Sequence, residues 1–209
     1  MIRAFLAKQL GHPSGIFGRL LMKLLNKGNA TMNDFAFQQL DLKPNDNVLE
    51  IGFGGGYLLE QIIASQIPSR IAGIDPQLDV IDMGQKKFAP AVARGYLELK
   101  QASGESLPWD ENTFNKICTV NTVYFWSDTQ AVLAQCRRLL IPRGKLVVCY
   151  NSPQLLERTK LIEHGFTAYR PQDLESLMID AGFNDVTTLT ADGGTGNAMF
   201  YCTSGFARS

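Results

Sequence analysis

The chain has 209 residues, 45% of them apolar, and its 20 basic residues balance 20 acidic ones. This amount of apolar material is enough for one good core, so we expect a single α/β domain with an N-terminal extension. The zero formal net charge and the near-neutral pI of about 6.7 leave no electrostatic footprint for DNA or RNA. A nucleic-acid partner is therefore not expected.

The basic residues are concentrated near the N-terminus. Residues 1–33 contain five of them and no acid, which leaves 15 basic against 20 acidic residues in the rest. An amphipathic helix is predicted over Ile16–Leu25, with Arg19, Lys23 and Lys27 opposite its apolar face. Such a helix could close over a pocket as a lid, lie on an anionic membrane, bind an acidic acceptor, or pack on the sheet with a solvated basic edge. We expect the lid, and we divide the chain into a helical extension over residues 1–43 and a domain over residues 44–209.

The four cysteines fall in predicted strands and a helix, without C-x-x-C spacing and without clustering with the two histidines. This distribution is typical of small core residues in a reducing compartment, and no metal site is expected. The N-terminus shows no signal-peptide pattern, and no apolar run approaches the length of a membrane span. The sequence therefore predicts a cytoplasmic protein.

In chain order, a helix over Met32–Leu42 is predicted to precede a series of short apolar runs separated by helical periodicity. These runs predict five strands, at Val48–Ile51, Ile71–Ile74, Tyr96–Leu99, Ile117–Val120 and Lys145–Tyr150. Helices are then predicted over Glu157–His164 and Gln172–Ala181, each stopped by a glycine. A hairpin of Phe183–Leu189 and Met199–Thr203 closes the pattern. Such an order predicts a mainly parallel sheet with helices on both faces.

The most informative stretch is the end of the first strand, which breaks directly into the alternating glycines Gly52, Gly54 and Gly56. Glycine lets the backbone turn sharply there and approach a ligand without a Cβ in the way. A helix is predicted to begin at Leu58, and the amides of its first turn have no partners within the helix. The turn therefore predicts a binding site for a small anionic ligand.

Two cofactor classes use such a turn, and position 57 separates them. The dinucleotide fingerprint G-x-G-x-x-G, counted from Gly52, requires a small residue at this position, but the chain has Tyr57. With Glu50 inside the strand, the pattern Glu50-x-Gly52-x-Gly54-x-Gly56 resembles motif I of the class I S-adenosylmethionine (SAM) dependent methyltransferases. An NAD-linked oxidoreductase is disfavoured accordingly.

Asp75 ends the second predicted strand, 23 residues after Gly52. A carboxylate in this place can accept hydrogen bonds from both hydroxyls of a ribose. NAD-dependent enzymes share the feature, so Asp75 predicts an adenosine cofactor without choosing between the two classes.

Two further segments extend the resemblance. Leu107-Pro108-Trp109 and Thr113-Phe114 resemble the loop before strand four in methyltransferases similar to the ubiquinone and menaquinone biosynthesis enzymes. The segment from Arg138 to Leu146 resembles that family's turn into strand five, with Arg143 in place of one glycine. The resemblance covers about Leu42 to Tyr150. It implies a Rossmann-like seven-stranded sheet with an antiparallel last strand, SAM as the cofactor and methyl transfer as the activity.

The resemblance also implies a set of cofactor contacts. Where the family commonly has Gly-Asp-Ala before the Leu-Pro-Phe loop, this chain has Ala102-Ser103-Gly104. Ser103 can accept one hydrogen bond but carries no charge, so adenine is expected to be held more by backbone groups of Gly104 and Glu105 and by apolar packing against Leu78 or Leu107. Asn121 is expected to offer a backbone contact to the methionyl amine, while Glu50 either orders the turn or approaches that amine through water. The full set is Glu50, Gly52, Gly54, Gly56, Asp75, Ser103, Gly104, Glu105 and Asn121.

No catalytic residue is evident from the sequence, and two side chains are candidates. His164 lies in the segment that contributes to the acceptor pocket in similar enzymes, but it also suits a surface histidine at a helix C-terminus. Asn121-Thr-Val-Tyr124 imitates the Asn and Tyr of an N-P-P-Y motif without its prolines. Tyr124 and Trp126 are expected either to line the pocket or to pack the following helix, which Asp128 is expected to cap.

These observations predict a methyltransferase that acts on a small organic acceptor and leave the acceptor's identity and the oligomeric state open. One alternative is an enzyme for a lipid or quinone acceptor, with peripheral membrane contact through the basic N-terminal helix. Another is a SAM-binding protein without catalysis. The absence of a clear base does not exclude an enzyme, because the sulfonium already activates the methyl group and in-line alignment can suffice.

Overall fold

The computed structural model describes residues 30–164, 166–193 and 199–208. Within them, seven strands form one sheet: β1 (Asn47–Ile51), β2 (Arg70–Asp75), β3 (Leu97–Gln101), β4 (Phe114–Val120), β5 (Leu140–Asn151), β6 (Phe183–Asp192) and β7 (Met199–Ala207). Their order across the sheet is β3-β2-β1-β4-β5-β7-β6. Strands β1 to β5 pair in parallel, and β7 runs antiparallel to both β5 and β6. This confirms the predicted mainly parallel sheet with an antiparallel last strand.

Helices cover both faces of the sheet, as predicted. They are α1 (Ala30–Leu40), α2 (Tyr57–Ser65), α3 (Leu78–Lys87), α4 (Ala89–Ala93), α5 (Thr129–Leu139), α6 (Pro153–Arg158) and α7 (Pro171–Asp180), with 3₁₀ turns at Val123–Phe125 and Ile162–His164. One hydrophobic cluster joins the sheet to α1 through α4, and a second joins it to α5 through α7. Adjacent residues of β1 enter opposite clusters, Val48 the first and Leu49 the second. A strand buried on both faces needs such a continuous apolar run, which is why the strands were recognisable in the sequence.

Helix α1 shows how residues before the first strand join the domain. Ala36 and Leu40 are fully buried in the cluster that also contains Val48. The helix ends at Leu40, two residues before the predicted end, and Asp41 adopts a left-handed φ of 46°. The predicted helix over Ile16–Leu25 lies outside the described residues, so its role as a lid stays a prediction. No helix in the described ranges has the length and apolar character needed to cross a membrane.

The predicted helix over Glu157–His164 is wrong. The chain forms α6 earlier, because the Ser152 side chain accepts a hydrogen bond from the Leu155 amide and Pro153 occupies the first turn. Lys160 then adopts a left-handed φ of 59°, which is incompatible with a continuing helix. Helix α7 and the left-handed Gly182 after it agree with the prediction. Gly165 lies outside the described residues, and so does most of the predicted hairpin turn over Gly193–Gly196.

Arg143 occupies the position at which similar enzymes have a glycine, and it adopts a left-handed φ of 63°. It lies where the pairing of β4 with β5 changes register, between the pairs Phe114–Leu140 and Lys116–Lys145. A residue with a Cβ is strained in this backbone conformation.

We therefore predict that Arg143→Gly raises the free energy of unfolding by up to about 1 kcal/mol, because the strain of about 1–2 kcal/mol outweighs the added chain entropy of glycine. Chemical denaturation measures the change. Arg143→Ala keeps a Cβ and is the matched control, for which we expect no gain. An equal gain in Arg143→Ala would assign the effect to loss of the arginine side chain and contradict the backbone explanation.

Candidate cofactor and acceptor site

The residues predicted to bind a cofactor meet where three neighbouring parallel strands end. Ile51, the last residue of β1, pairs with Ile74 of β2 on one side and with Thr119 of β4 on the other. The segments after these strands therefore leave the sheet side by side at its carboxyl edge. Ligands of open α/β sheets bind at such an edge.

The glycine turn is fixed mainly by backbone hydrogen bonds. The amide of Gly52 donates to the Ile74 carbonyl at 2.8 Å, and the amide of Gly56 donates to the Phe53 carbonyl at 2.7 Å. Gly52 has a left-handed φ of 72°, and a Cβ there would overlap the methyl group of Thr122, which follows β4. Only glycine satisfies both demands, since it tolerates this φ and has no Cβ. The turn delivers the first amides of α2 to the carboxyl edge, where they can face an anion.

Asp75 is buried at the end of β2 and joins this strand to the turn. One carboxylate oxygen accepts a hydrogen bond from the Gly54 amide at 3.2 Å, and the other accepts from the Gln77 amide at 3.0 Å. Burial raises the pKa of Asp75 to about 6, although the two amides oppose the rise. The carboxylate is thus held beside the turn, in the place predicted for a group that binds ribose hydroxyls.

Glu50 is the most unusual group at this edge. Its side chain lies inside β1 and is only 3% exposed, and its Oε2 atom has no hydrogen-bond partner in the described structure. Burial raises the pKa of Glu50 to about 8; the Asp75 carboxylate adds to the rise, while the Leu59 amide and the Lys87 ammonium oppose it. A buried carboxyl oxygen without a hydrogen-bond partner is costly. It fits a site that takes up a cationic group, such as the amine of a methionyl moiety.

The segment proposed to hold adenine lies beside Asp75. The Ala102 amide donates to the Asp75 carbonyl at 3.2 Å. The Glu105 carboxylate accepts hydrogen bonds from the Ser127 amide at 3.1 Å and the Ser127 hydroxyl at 2.8 Å, and it also bonds with Ser103. Because the side chains of Ser103 and Glu105 are engaged with each other, the backbone of Gly104 and Glu105 offers the better contacts for a base.

A polar network connects the ends of β4 and β5. Asn121 has a left-handed φ of 58°, and its amide donates to the Cys149 carbonyl at 2.9 Å. Its side-chain oxygen accepts hydrogen bonds from the Tyr124 hydroxyl at 2.9 Å and from the Asn151 side chain at 3.0 Å. The Asn151 amide in turn donates to the Tyr124 hydroxyl. The backbone of Asn121 therefore reaches the carboxyl edge in a fixed orientation.

Tyr124 lies in the interior, which agrees with the packing alternative of the sequence analysis, and its catalytic role stays a prediction. Its side chain is 3% exposed, and burial raises the pKa of its hydroxyl far above the ordinary value. The group therefore stays protonated and serves the network described above. His164 ends a 3₁₀ turn, and since its side chain lies outside the described structure its catalytic role stays a prediction. Asp128 caps α5, as predicted, because its carboxylate accepts a hydrogen bond from the Ala131 amide at 3.0 Å. Trp126 is half-buried and packs against the adjacent core.

An aromatic surface lies next to the polar network. Phe125 is 42% exposed and packs edge-on against Phe166, with ring centroids 4.7 Å apart. Phe166 also contacts Tyr124 at 5.7 Å between centroids, and Ile162, nearby in the chain, is 40% exposed. Sequence analysis did not find this surface, because about forty residues separate its members and no local motif links them. We call Phe125 and Phe166 the aromatic wall.

Glu50 generates a prediction about the ligand-free protein. Its folded-state pKa lies above that of an ordinary glutamate, so the folded protein binds the proton more tightly than the unfolded chain does. The resulting stability is present at pH values below the unfolded pKa and is lost as the pH rises through about 8. We expect Glu50→Gln, which cannot ionise, to be more stable than the wild type at alkaline pH, by at least about 1 kcal/mol or roughly 2–4 °C in Tm.

Thermal unfolding followed by circular dichroism, on the acidic and alkaline sides of this transition, measures the difference. The advantage of Glu50→Gln should shrink on the acidic side. Glu111→Gln, which removes an exposed carboxylate from the loop before β4, is the control and should show no comparable pH dependence. A Glu50→Gln protein that is no more stable than the wild type at either pH would contradict the assignment.

Comparison with known proteins agrees with this geometry. Residues 49–148 match the family model of a methyltransferase domain. The uncharacterized methyltransferase YdaC of Bacillus subtilis is 29% identical over 120 residues, which cover 57% of this chain and 64% of YdaC. The ubiquinone/menaquinone biosynthesis C-methyltransferase UbiE of Geotalea daltonii is 25% identical over 125 residues, which cover 58% of this chain and 53% of UbiE. The chain thus spans less than two thirds of the length of these two relatives.

A solved structure shows the same fold. It is a complex between the Haloferax volcanii Trm112 methyltransferase activator and a protein described as a methyltransferase, with a TM-score of 0.79 and 16% identity over 91% of this chain and 94% of that one. The family match begins in β1 and ends in β5, so it contains the glycine turn, Asp75 and Asn121. Over residues 49–148 the chain thus resembles a methyltransferase domain in sequence, and it shares its fold with a solved methyltransferase structure.

Proposed function

We propose that this chain binds SAM at the carboxyl edge of β1, β2 and β4 and transfers its methyl group to a small organic acceptor. The observation that carries the proposal is the buried Glu50 carboxyl group, whose Oε2 atom has no hydrogen-bond partner in the described structure, beside Asp75 and the glycine turn. A cationic amine, a ribose diol and a carboxylate are the groups that these three features would bind. All three are parts of SAM.

Each part of the site would then hold one part of the cofactor. The Asp75 carboxylate would accept hydrogen bonds from the ribose hydroxyls. The Glu50 carboxylate would pair with the methionyl ammonium directly or through one water. The glycine turn and the first amides of α2 would bind the carboxylate. The backbone of Gly104 and Glu105 would hold adenine, and the backbone of Asn121 would contact the methionyl amine.

SAM supplies a methyl group that its sulfonium already activates. The chain's own task is therefore to align the acceptor with the methyl carbon and to exclude water. The fixed turn and the network around Asn121 would give the required rigidity, since its members are hydrogen-bonded to neighbouring strands. A dedicated base is not required by this scheme.

The aromatic wall supports an acceptor with a flat apolar face. Phe125 presents apolar surface and packs against Tyr124, whose hydroxyl is bonded to the Asn121 side chain. An aromatic or quinol ring that carries an oxygen or nitrogen substituent would suit such a combination. The UbiE relative, a ubiquinone/menaquinone biosynthesis C-methyltransferase, supports the same class. A lipid-linked quinone at a membrane surface is the second candidate, favoured by that relative and by the basic residues 1–33.

The cofactor is tested by calorimetric titration with S-adenosylhomocysteine (SAH). We expect the wild type to bind SAH and not NAD, and Asp75→Asn to weaken SAH binding about tenfold or more, because it removes charge-assisted hydrogen bonds to the ribose. Asp79→Asn, an exposed carboxylate on α3, should bind like the wild type. Absent SAH binding, or a clear response to NAD, would contradict the proposal.

The acceptor surface is tested by turnover with SAM against a panel of phenols, hydroquinones, amines and carboxylic acids. With the best acceptor of the panel, Phe125→Ala should lower kcat/KM about tenfold through a higher acceptor KM, because it removes most of an aromatic contact. The SAH Kd should change less than about twofold, since Phe125 is outside the proposed cofactor contacts. Ile179→Ala, at a residue of α7 that is 50% exposed, is the matched control and should behave like the wild type.

Equal loss in Phe125→Ala and Ile179→Ala would contradict the role of the aromatic wall. SAH binding without turnover of any acceptor would favour a SAM-binding protein without catalysis. For the membrane alternative, removal of residues 1–30 should abolish binding to anionic vesicles and turnover of a long-chain quinol. Unchanged turnover of a soluble acceptor by the truncated protein would count against a membrane substrate.

A further inference from the structure

One face of α3 packs against the back of the glycine turn. Gly84, Lys87 and Phe88 are spaced at i, i+3 and i+4, so they lie on the same side of this helix and its cap. A Cβ on Gly84 would lie 2.9 Å from the ring of Phe53, which is the second residue of the turn. Helix and turn therefore approach closely enough for the helix to control the shape of the turn.

The other two residues of this face contact the end of the turn. The Lys87 ammonium donates to the Gly55 carbonyl at 3.1 Å and reaches the Gly56 carbonyl at 3.5 Å. A Cβ on Gly56, which has a left-handed φ of 70°, would lie 2.7 Å from the buried Phe88 ring. The carbonyls of the turn are thus bound on the α3 side.

Lys87 is itself held in place although it is partly exposed. Its ammonium forms a 2.8 Å ion pair with Glu60 of α2 and lies 4.9 Å from the centroid of the Phe88 ring. Its side chain is 34% exposed. At this exposure the ion pair adds little to stability, so its geometric effect, which connects α3, the turn and α2 through one group, is the more important one.

We propose that Lys87 is a positioning residue for the cofactor. It fixes the Gly55 carbonyl on the α3 side and thereby fixes the turn. The turn in this conformation presents Gly54 to Asp75 and the first amides of α2 to the cofactor carboxylate. The inference rests on the proposed binding of SAM at this turn. Lys87 does not touch the reacting atoms, and its effect is on cofactor affinity. Its charge has a second effect, on Glu50.

The charge environment of Glu50 makes the second effect measurable. Three groups face this carboxyl: Asp75 from β2, Lys87 from α3 and the Cys118 thiol from β4. Lys87 is the cation among them and lowers the pKa of Glu50. If SAH binds best when Glu50 is ionised, loss of Lys87 should move the pH midpoint of SAH binding upward. A purely structural defect would lower affinity without moving that midpoint.

The experiment compares Lys87→Met, Lys87→Arg and the neighbouring Lys86→Met in the full chain. Lys86 has a similar position in sequence but an exposed side chain, so its variant is the matched control. Calorimetric titration with SAH across the alkaline transition gives the Kd and its pH midpoint. Hydrogen exchange of the ligand-free proteins, read by mass spectrometry over residues 52–57, reports the turn itself.

For Lys87→Met we expect SAH affinity to fall about tenfold, the pH midpoint to rise, and exchange over residues 52–57 to become at least about threefold faster. Its Tm should stay within about 2 °C of the wild type. With SAM varied, KM should rise while kcat changes less than about twofold. Lys87→Arg should recover most of the affinity, and Lys86→Met should match the wild type.

The inference would be overturned if Lys87→Met had the exchange rates and the SAH affinity of the wild type. An equal loss of SAH affinity in Lys86→Met would also overturn it. A failure of the wild type itself to bind SAH would count against the proposed function. In that case the exchange rates of the ligand-free proteins still decide whether Lys87 fixes the turn, so the two failures are distinguishable.

Discussion

The rest of the site depends on one constraint, the burial of the Glu50 carboxyl group inside a strand that is covered on both faces. Its neighbours Leu49 and Ile51 are ordinary core residues. The free energy gained by burying their apolar surface offsets the cost of burying a titratable group between them. The unpartnered oxygen lies one residue before the chain leaves the sheet. A cationic ligand at the turn would therefore gain the interaction that the fold leaves unsatisfied.

The turn that follows Glu50 is held from several directions, which explains how a glycine-rich segment can be rigid. The Ile74 carbonyl of β2 accepts hydrogen bonds from the first two amides of the turn, and the Asp75 carboxylate accepts one from the Gly54 amide. On the opposite side, the Lys87 ammonium donates to the carbonyls of the turn. Glycine lowers the steric cost of this path, and the neighbours select one conformation from the many that glycine allows. Rigidity of this kind reduces the entropy lost when a ligand binds.

The sequence predicted the sheet and the meeting of Glu50, the glycine turn and Asp75 at its carboxyl edge, because both are encoded locally. Buried strands appear as apolar runs, and the spacing of Glu50, the glycines and Asp75 places them at neighbouring strand ends. Features that join distant segments were missed: Phe125 meets Phe166, and Lys87 meets Gly55, only after the helices pack. For Tyr124 the sequence left both a pocket wall and core packing open, because a motif-like spacing does not show which way a side chain points. The false helix after β5 came from apolar periodicity that continued past Lys160, where the backbone conformation changes.

The most direct test of the account is the crystal structure of the protein bound to SAH. We expect the Asp75 carboxylate within about 3.2 Å of both ribose hydroxyls, and Oε2 of Glu50 bonded to the homocysteine amine or to one water that bridges them. The aromatic wall should lie on the open side of the sulfur. Nucleoside density away from Asp75, with Glu50 still unpartnered, would contradict the central claim that this carboxyl edge is built around the cofactor.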